Sequence, residues 1–282
     1  MPFAPSAWYV AQWQQDSYVQ PTLLPEANSN SLHEDPKLGK PTYVFAAPDG
    51  HAAVRVYNQN GSWVYELEES GGTLTGKGGS NLFLSVNAVE PGARFDQDIS
   101  YDTDIKLSAA MVHYDMAGAA ISGAVLSQVF TGFGLMFSDP ITREQQFVFM
   151  QLPIAVSRPT PPTWFSICSL VDKKPKLLYV PARDQDHPLL AYKADNGDMH
   201  HLHYLLNTYV SMLVSSPYRC ADQWIEWPSS ARDLRNWRLT SLYIGLETET
   251  SDHRPGSLNL KPQGEIETAV EIANARVTHG NF

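Results

Sequence analysis

Two glutamates, Glu247 and Glu249, directly follow the apolar run Leu242-Tyr-Ile-Gly-Leu246. Because side chains alternate along a β-strand, residues two apart share a face and lie about 6–7 Å from each other. A carboxylic acid at the edge of an apolar cleft can protonate a leaving group, and a second carboxylate roughly 5 Å away would permit a retaining glycosidase reaction. The alternative interpretation is an exposed strand end that carries two solvated acids.

Aromatic residues are the second feature that could serve a ligand, since the chain has seven tryptophans and thirteen tyrosines. Flat, rigid side chains stack on sugar rings and on other apolar ligands at low entropic cost. Trp63 and Tyr65 lie two apart on one predicted strand, and Trp224, Trp227 and Trp237 cluster before the last long strand. Packing in the core explains most of them, and the five are candidates for residues that line a concave ligand face.

Four aspartates, Asp96, Asp98, Asp102 and Asp104, crowd one short segment. Calcium takes several carboxylate and carbonyl oxygens, so this segment is a candidate calcium site. It lacks the central Gly and the closing Glu of an EF-hand loop, and a solvated acidic loop is the alternative. We expect no other cofactor to be required.

Two further motifs are weaker. Gly71-Gly-Thr-Leu-Thr-Gly-Lys-Gly78 approaches a phosphate-binding loop, but no Ser or Thr follows the Lys and a flexible hairpin is favoured. His200 and His203 would share one face of a helix predicted over residues 198–214 and could hold a metal, or could be exposed first-turn histidines.

The composition excludes several classes of partner. The chain has 282 residues and a formal charge of −10, which argues against binding nucleic acid or an anionic membrane surface. Two cysteines, Cys168 and Cys220, are too few for a disulfide scaffold, so we expect them to be reduced and buried, with one bridge between them as the alternative. The N-terminus has no basic region followed by a long apolar run, which predicts a cytoplasmic protein by default.

Short β-rich runs separated by turn signals fill the chain from Tyr43 onward, among them Asn60-Gly61. They predict one all-β domain over residues 43–282, an antiparallel β-sandwich or jelly roll, with residues 1–42 as an irregular segment packed on it. Leucines at helical spacing predict one amphipathic helix over about 198–214, outside the sheets. The uncharged run 116–137 is long enough for a membrane span, but Val129–Phe137 is more typical of a buried strand.

The order of these segments resembles glycoside hydrolase family 12, a family of jelly-roll endoglucanases with one external helix. Val112-His-Tyr-Asp115 resembles the strand that carries the helper aspartate, Phe147-Val-Phe-Met-Gln-Leu152 the nucleophile strand, and Gly245-Leu-Glu247 the segment with the acid/base. The resemblance implies that Glu247 donates a proton and that Asp115 assists it. Gln151, on the strand that resembles the nucleophile strand, is a further candidate to contact substrate. In the family the nucleophile strand begins with Glu, whereas Phe147 stands at that position here.

Three hypotheses on function follow. The first is a glycan-directed protein that binds or cleaves a neutral polysaccharide in an aromatic cleft. The second is an intracellular enzyme, an isomerase or cyclase, that uses one carboxylic acid on a small apolar molecule in the same cavity. The third is a non-catalytic interaction module. All three are kept, because the fold alone does not choose among them.

Overall fold

The computed structural model of the chain describes residues 9–14, 18–23, 33–35, 40–46, 52–71, 80–87, 97–98, 104–117, 126–156, 165–171, 174–180, 199–220, 223–249 and 265–278. The strands in these ranges are β1 Tyr9–Gln14, β2 Tyr18–Leu23, β3 His33–Asp35, β4 Lys40–Ala46, β5 Ala52–Gln59, β6 Ser62–Gly71, β7 Ser80–Asn87, β8 Gln97–Asp98, β9 Asp104–Ala117, β10 Leu126–Ser138, β11 Gln145–Val156, β12 Phe165–Val171, β13 Lys174–Val180, β14 His200–Leu205, β15 Tyr218–Cys220, β16 Gln223–Ile225, β17 Trp237–Glu249 and β18 Glu265–Thr278. One α-helix, α1, covers Leu206–Val214 in this part of the chain, and two 3-10 turns cover Ser229–Arg232 and Leu234–Asn236.

The strands form two large sheets and a small hairpin. The nine-stranded sheet has the order β12-β13-β11-β10-β17-β7-β1-β2, with β8 also paired to β17. The seven-stranded sheet has the order β14-β9-β18-β6-β5-β4-β3, and β15 pairs with β16. Among the described pairs only β11 and β13 run parallel. The predicted class, an antiparallel β-sandwich of the jelly-roll type, is confirmed.

The core lies between the two sheets. The seven-stranded sheet contributes Leu67 and Ile272, and the nine-stranded sheet contributes Phe133 and Leu242, all of them buried in one apolar cluster. The rings of Phe133 and Tyr204 lie 6.2 Å apart and join the two layers. Along each strand, side chains that point into this core alternate with side chains that point outward. The outward faces of the two sheets therefore remain for a ligand.

The second half of the uncharged run 116–137 forms a strand, as the sequence predicted in preference to a membrane span. Val129–Phe137 lies within β10, in the middle of the nine-stranded sheet. Among the described residues, no helix has the length and apolar character that crossing a membrane requires.

The helix predicted over 198–214 is wrong in its first half. His200–Leu205 form β14, which pairs with β9 at the edge of the seven-stranded sheet, and α1 begins only at Leu206. Leu202 and Tyr204 are both buried, a period of two that suits a strand. The second half is amphipathic, as predicted, and buries Leu206, Tyr209 and Val210 together with two further residues against the core.

Residues 1–42 also differ from the irregular segment that we predicted. They contain β1, β2 and β3 and the start of β4. The first of these pairs with β7 and so extends the nine-stranded sheet, while β4 pairs with β5 in the other sheet. The segment also pairs locally, β1 with β2 and β3 with β4, so local and distant strands together satisfy its backbone groups.

Cys168 and Cys220 form a disulfide, so the expectation that they are reduced is wrong. Their Cα atoms lie 4.8 Å apart although 52 residues separate them in the chain. Cys168 lies on β12, the outermost strand of its sheet, and Cys220 lies on β15. The bond therefore attaches the β15–β16 hairpin to the edge of the nine-stranded sheet.

The predicted turn at Asn60-Gly61 is confirmed and joins β5 to β6. Both residues have positive φ angles, 53° and 83°, the combination that a two-residue type I′ hairpin requires. The side-chain Oδ1 of Asn58 accepts a hydrogen bond from the backbone N–H of Gly61 at 3.0 Å.

Candidate functional site

Four aromatic side chains lie on the outward face of the nine-stranded sheet, the side opposite the core. They are Phe130 of β10, Phe147 and Phe149 of β11, and Tyr243 of β17, and we call this group the aromatic face. Their strand neighbours are buried in the core, so alternation directs these four rings outward. Phe149 is 37% exposed, Phe147 is partly buried, and the other two are buried.

The four rings contact one another edge to face. Phe147 and Phe149 have ring centroids 4.6 Å apart, and Phe149 lies 5.9 Å from Tyr243. Tyr243 in turn lies 5.9 Å from Phe130. Edge-to-face contact is a preferred arrangement of aromatic pairs, and it holds the rings as one continuous layer across three neighbouring strands.

Glycines beneath the layer allow the rings to lie close to the sheet. A Cβ at Gly132 would overlap the Tyr243 ring, and a Cβ at Gly245 would overlap the Phe130 ring. At Gly134 a Cβ would stand 3.1 Å from Cζ of Phe147 and would overlap a serine side chain. The glycines of the nine-stranded sheet thus give the aromatic face its shape.

Gln151 is the predicted substrate-binding residue that the structure brings to this face. It stands opposite Gly132, which also stands opposite Tyr243, so the three form one row across β11, β10 and β17. The Gln151 side chain is partly buried. An amide next to an aromatic layer can donate hydrogen bonds to polar groups at the rim of a bound ligand and accept hydrogen bonds from them.

The five predicted aromatic residues lie elsewhere. Trp63 packs against the core, while Tyr65 and Trp237 are core residues with 2% and 0% exposure. Trp227 packs in the core-facing aromatic cluster, 5.6 Å from Trp237. Trp224, on the β15–β16 hairpin, is 67% exposed and separate from the aromatic face.

The predicted acids lie on strands of two different sheets. Glu247 stands opposite Gln128 and Asn81 in the nine-stranded sheet, and Glu249 lies two residues further along β17. Strand alternation places position 247 on the same face as Tyr243 and Gly245. Asp115 lies on β9 and stands opposite Glu267 of β18. Its backbone therefore belongs to the seven-stranded sheet, whereas Glu247 belongs to the nine-stranded sheet.

The remaining sequence motifs do not form a described site. Asp98 and Asp104 lie in β8 and β9, but Asp96 and Asp102, like most of the glycine-rich loop, lie outside the described residues. No group of three or more metal-ligating side chains occurs within the described part of the chain. The predicted pairing of His200 with His203 is wrong, because on a strand residues three apart point to opposite faces.

The seven-stranded sheet carries a buried polar network on its outward face. Arg55 donates a hydrogen bond to Glu66 at 3.1 Å and another to Glu68, and the Tyr57 hydroxyl donates one to Glu271. Glu66 is only 2% exposed. The pKa of Tyr57 is raised, mainly by burial of its hydroxyl and further by the hydrogen bond to Glu271. These groups thus satisfy one another within the sheet.

Sequence reasoning missed the four rings of the aromatic face. The available signal was Phe147 and Phe149, two apart on one strand, next to strands that carry glycines. Alternation predicts that such a pair shares a face, but it does not say whether that face meets the core or a ligand.

Comparisons with known proteins add the following. No protein-family model matches the chain, and no curated protein sequence matches it. Among solved structures, a family 11 xylanase from Neocallimastix patriciarum has a TM-score of 0.40 at 9% identity, over 85% of this chain and 91% of that one.

Two cellulase-type structures are similar to the same degree. Endoglucanase Cel12A from Rhodothermus marinus has a TM-score of 0.38 at 8% identity, over 86% of this chain and 91% of that one. The endo-1,4-β-glucanase CelB2 has a TM-score of 0.36 at 12% identity, over 85% and 97%. The similar structures also include one whose description names family 12 glycoside hydrolases, the family that the sequence resembles.

Proposed function

We propose that this protein binds a neutral polysaccharide on the aromatic face of its nine-stranded sheet. The observation that carries the proposal is the continuous layer of Phe130, Phe147, Phe149 and Tyr243 above glycines, with Gln151 beside it. The apolar faces of sugar rings stack on such a layer, and polar groups at its edge bind hydroxyls. The 37% exposure of Phe149 leaves one ring open to a ligand.

Binding is favoured over a two-carboxylate hydrolysis by the residue at position 147. A retaining glycosidase needs a carboxylate nucleophile about 5 Å from its acid/base. The Phe147 side chain is instead part of the aromatic layer, 4.6 Å from Phe149, and a phenyl ring cannot attack an anomeric carbon. The aromatic face therefore supplies contact area where the resemblance implies a nucleophile.

Glu247 remains the proposed proton donor if the face carries out chemistry. Its strand position is on the same face as Tyr243, four residues away along β17. Asp115 belongs to the other sheet, so the proposal does not include it as the partner of Glu247.

A small apolar molecule is the second candidate ligand. Three of the four rings are phenylalanine, which has no hydroxyl or N–H group for a sugar. Such rings also suit an apolar ligand that fills the layer. In this case Glu247 would act as the single acid of an isomerisation or cyclisation.

A matched pair of variants tests the proposal. Phe149→Ala removes the exposed ring of the aromatic face, and Ile141→Ala removes an 83% exposed apolar side chain in the turn before β11. On a neutral glycan array followed by titration of the best oligosaccharide, we expect Phe149→Ala to weaken binding about tenfold, or about 1.4 kcal/mol. Ile141→Ala should leave the affinity unchanged.

Two outcomes would overturn the polysaccharide assignment. One is silence of the wild-type protein on the array together with tight binding of an apolar metabolite, which supports the second candidate. The other is glycan binding that Phe149→Ala does not weaken, which would place the sugar on another surface.

We also infer that the protein works in an oxidising environment, in contrast to the cytoplasmic default expected from the sequence. The Cys168–Cys220 disulfide supports this inference, because such bonds persist mainly outside the reducing cytosol. Alkylation of free thiols in the protein as its own cells make it, followed by intact mass measurement, tests it. Two alkylated cysteines would contradict it.

A further inference from the structure

Two histidines of the edge strand β14 share an exposed face. His201 and His203 lie two residues apart, and both are exposed, while Leu202 and Tyr204 between and beyond them are buried. The strand rise puts their Cα atoms about 6–7 Å apart on the same side of the sheet. Two imidazoles at this spacing can converge on one ion, because a nitrogen–metal distance is about 2.0–2.1 Å.

His201 is oriented by a side chain of the neighbouring strand. Its Nδ1 lies 2.9 Å from Oγ of Ser108, its cross-strand partner on β9, and Ser108 is 3% exposed. When Nδ1–H donates to Oγ, the Nε2 atom carries the lone pair and the ring is held in place. Metal-ligating histidines characteristically have such a partner on the other ring nitrogen.

We propose that His201 and His203 bind a divalent transition metal of the copper, nickel or zinc class through one imidazole nitrogen each. Imidazole is a preferred ligand of these metals, whereas calcium and magnesium prefer oxygen. Within the described residues no third metal-ligating side chain joins the pair, and water or an added ligand can take the other positions. The site is thus an open one.

Lys106 sets the strength of the proposed site. It stands directly opposite His203 on β9, on the same face of the sheet. A nearby ammonium group repels a divalent cation. The affinity should therefore rise when Lys106 is replaced by Gln and fall when Ser108 is replaced by Ala.

The test uses tag-free full-length protein and titrates CuCl₂, NiCl₂, ZnCl₂ and MnCl₂ separately. The affinities should follow the order expected for nitrogen ligands, with Cu²⁺ strongest and Mn²⁺ weakest. The double variant His201→Ala/His203→Ala should lower the Cu²⁺ affinity by about tenfold or more. The matched control is His200→Ala, an exposed histidine of the same strand on the opposite face.

The Cu²⁺ electron paramagnetic resonance spectrum should show nitrogen coupling in the wild type and in His200→Ala, and lose it in the double variant. Circular dichroism melting checks that the double variant is folded. Equal Cu²⁺ affinity in the wild type and the folded double variant would overturn the proposal. So would an equal loss of affinity in His200→Ala.

Discussion

The ring of Tyr243 lies over Gly132 of the neighbouring strand, in the space that a side chain at position 132 would occupy. The same relationship recurs between Phe130 and Gly245, with the ring and the glycine exchanged between β10 and β17. The two strands therefore fit each other through reciprocal ring–glycine pairs. This fit lets the rings of Tyr243 and Phe130 lie close to the sheet, because each of these two rings rests on backbone instead of on another side chain.

Gly132→Ala should damage both stability and ligand binding. The added methyl group overlaps the Tyr243 ring, and overpacking of this kind costs about 1–3 kcal/mol of unfolding free energy. Displacing the ring also disturbs its contacts with Phe130 and Phe149. Urea denaturation measures the first effect, and titration with the bound oligosaccharide measures the second.

Gly61→Ala is the control for this variant. No atom lies within 4 Å of a Cβ at Gly61, but its φ of +83° disfavours any side chain and costs roughly 1–2 kcal/mol. It should therefore lower stability and leave binding unchanged. Equal loss of affinity in both variants would show that binding follows general stability and not the shape of the aromatic face.

Removal of the Cys168–Cys220 disulfide should destabilise the protein strongly. Closing a loop with a sequence separation of 52 lowers the entropy of the unfolded chain by an amount equal to about 4 kcal/mol. The Cys168→Ser/Cys220→Ser variant should therefore unfold at a lower urea concentration. The same urea midpoint for the wild type with and without reductant would contradict a structural role of the bond.

Local sequence patterns predicted most strands, but they failed where contacts with residues far along the chain determine the structure. Leu202, Leu205 and Leu206 fit helical spacing, yet Leu202 and Tyr204 also fit a strand. Pairing with β9, almost a hundred residues earlier in the chain, decides between the two, and no local pattern contains that information. The disulfide is a similar case, because spacing along the chain does not show which cysteines meet in space.

The candidate site was harder to predict than the fold. Alternation correctly places Trp63 and Tyr65 on one face, but that face is the core side of its sheet. The rings that remain outward, such as Phe149, have the same sequence pattern as core residues. Likewise, only the sheet order shows that Asp115 and Glu247 belong to different sheets.

Stability should fall in alkaline solution because buried tyrosines resist ionisation. Burial raises the pKa of Tyr179 to about 12, while the pKa in the unfolded chain is about 10. The folded state thus holds the proton more tightly, so this stabilisation is complete below pH 10 and is lost as the pH rises from 10 to about 12. The slope is about 1.4 kcal/mol per pH unit for each such group.

Urea denaturation between pH 8 and 11 measures this slope, and Tyr179→Phe isolates the contribution of one residue. The slope above pH 10 should be smaller in the variant than in the wild type. An identical slope would show that Tyr179 does not ionise on unfolding in this range.

Glu247→Gln separates catalysis from binding. Glutamine keeps the size of the side chain but cannot donate the proton of a carboxylic acid. If the face carries out acid chemistry on a bound ligand, turnover should fall at least about a hundredfold while affinity changes little. Unchanged turnover in this variant would remove Glu247 from the acid role.

The most direct test of the account is a nuclear Overhauser measurement between a bound neutral oligosaccharide and phenylalanine-labelled protein. Contacts should join the sugar C–H protons to the ring of Phe149, and Phe149→Ala should abolish them. Bound sugar that contacts none of the four rings, or that contacts only the exposed Trp224, would contradict a polysaccharide site on the aromatic face.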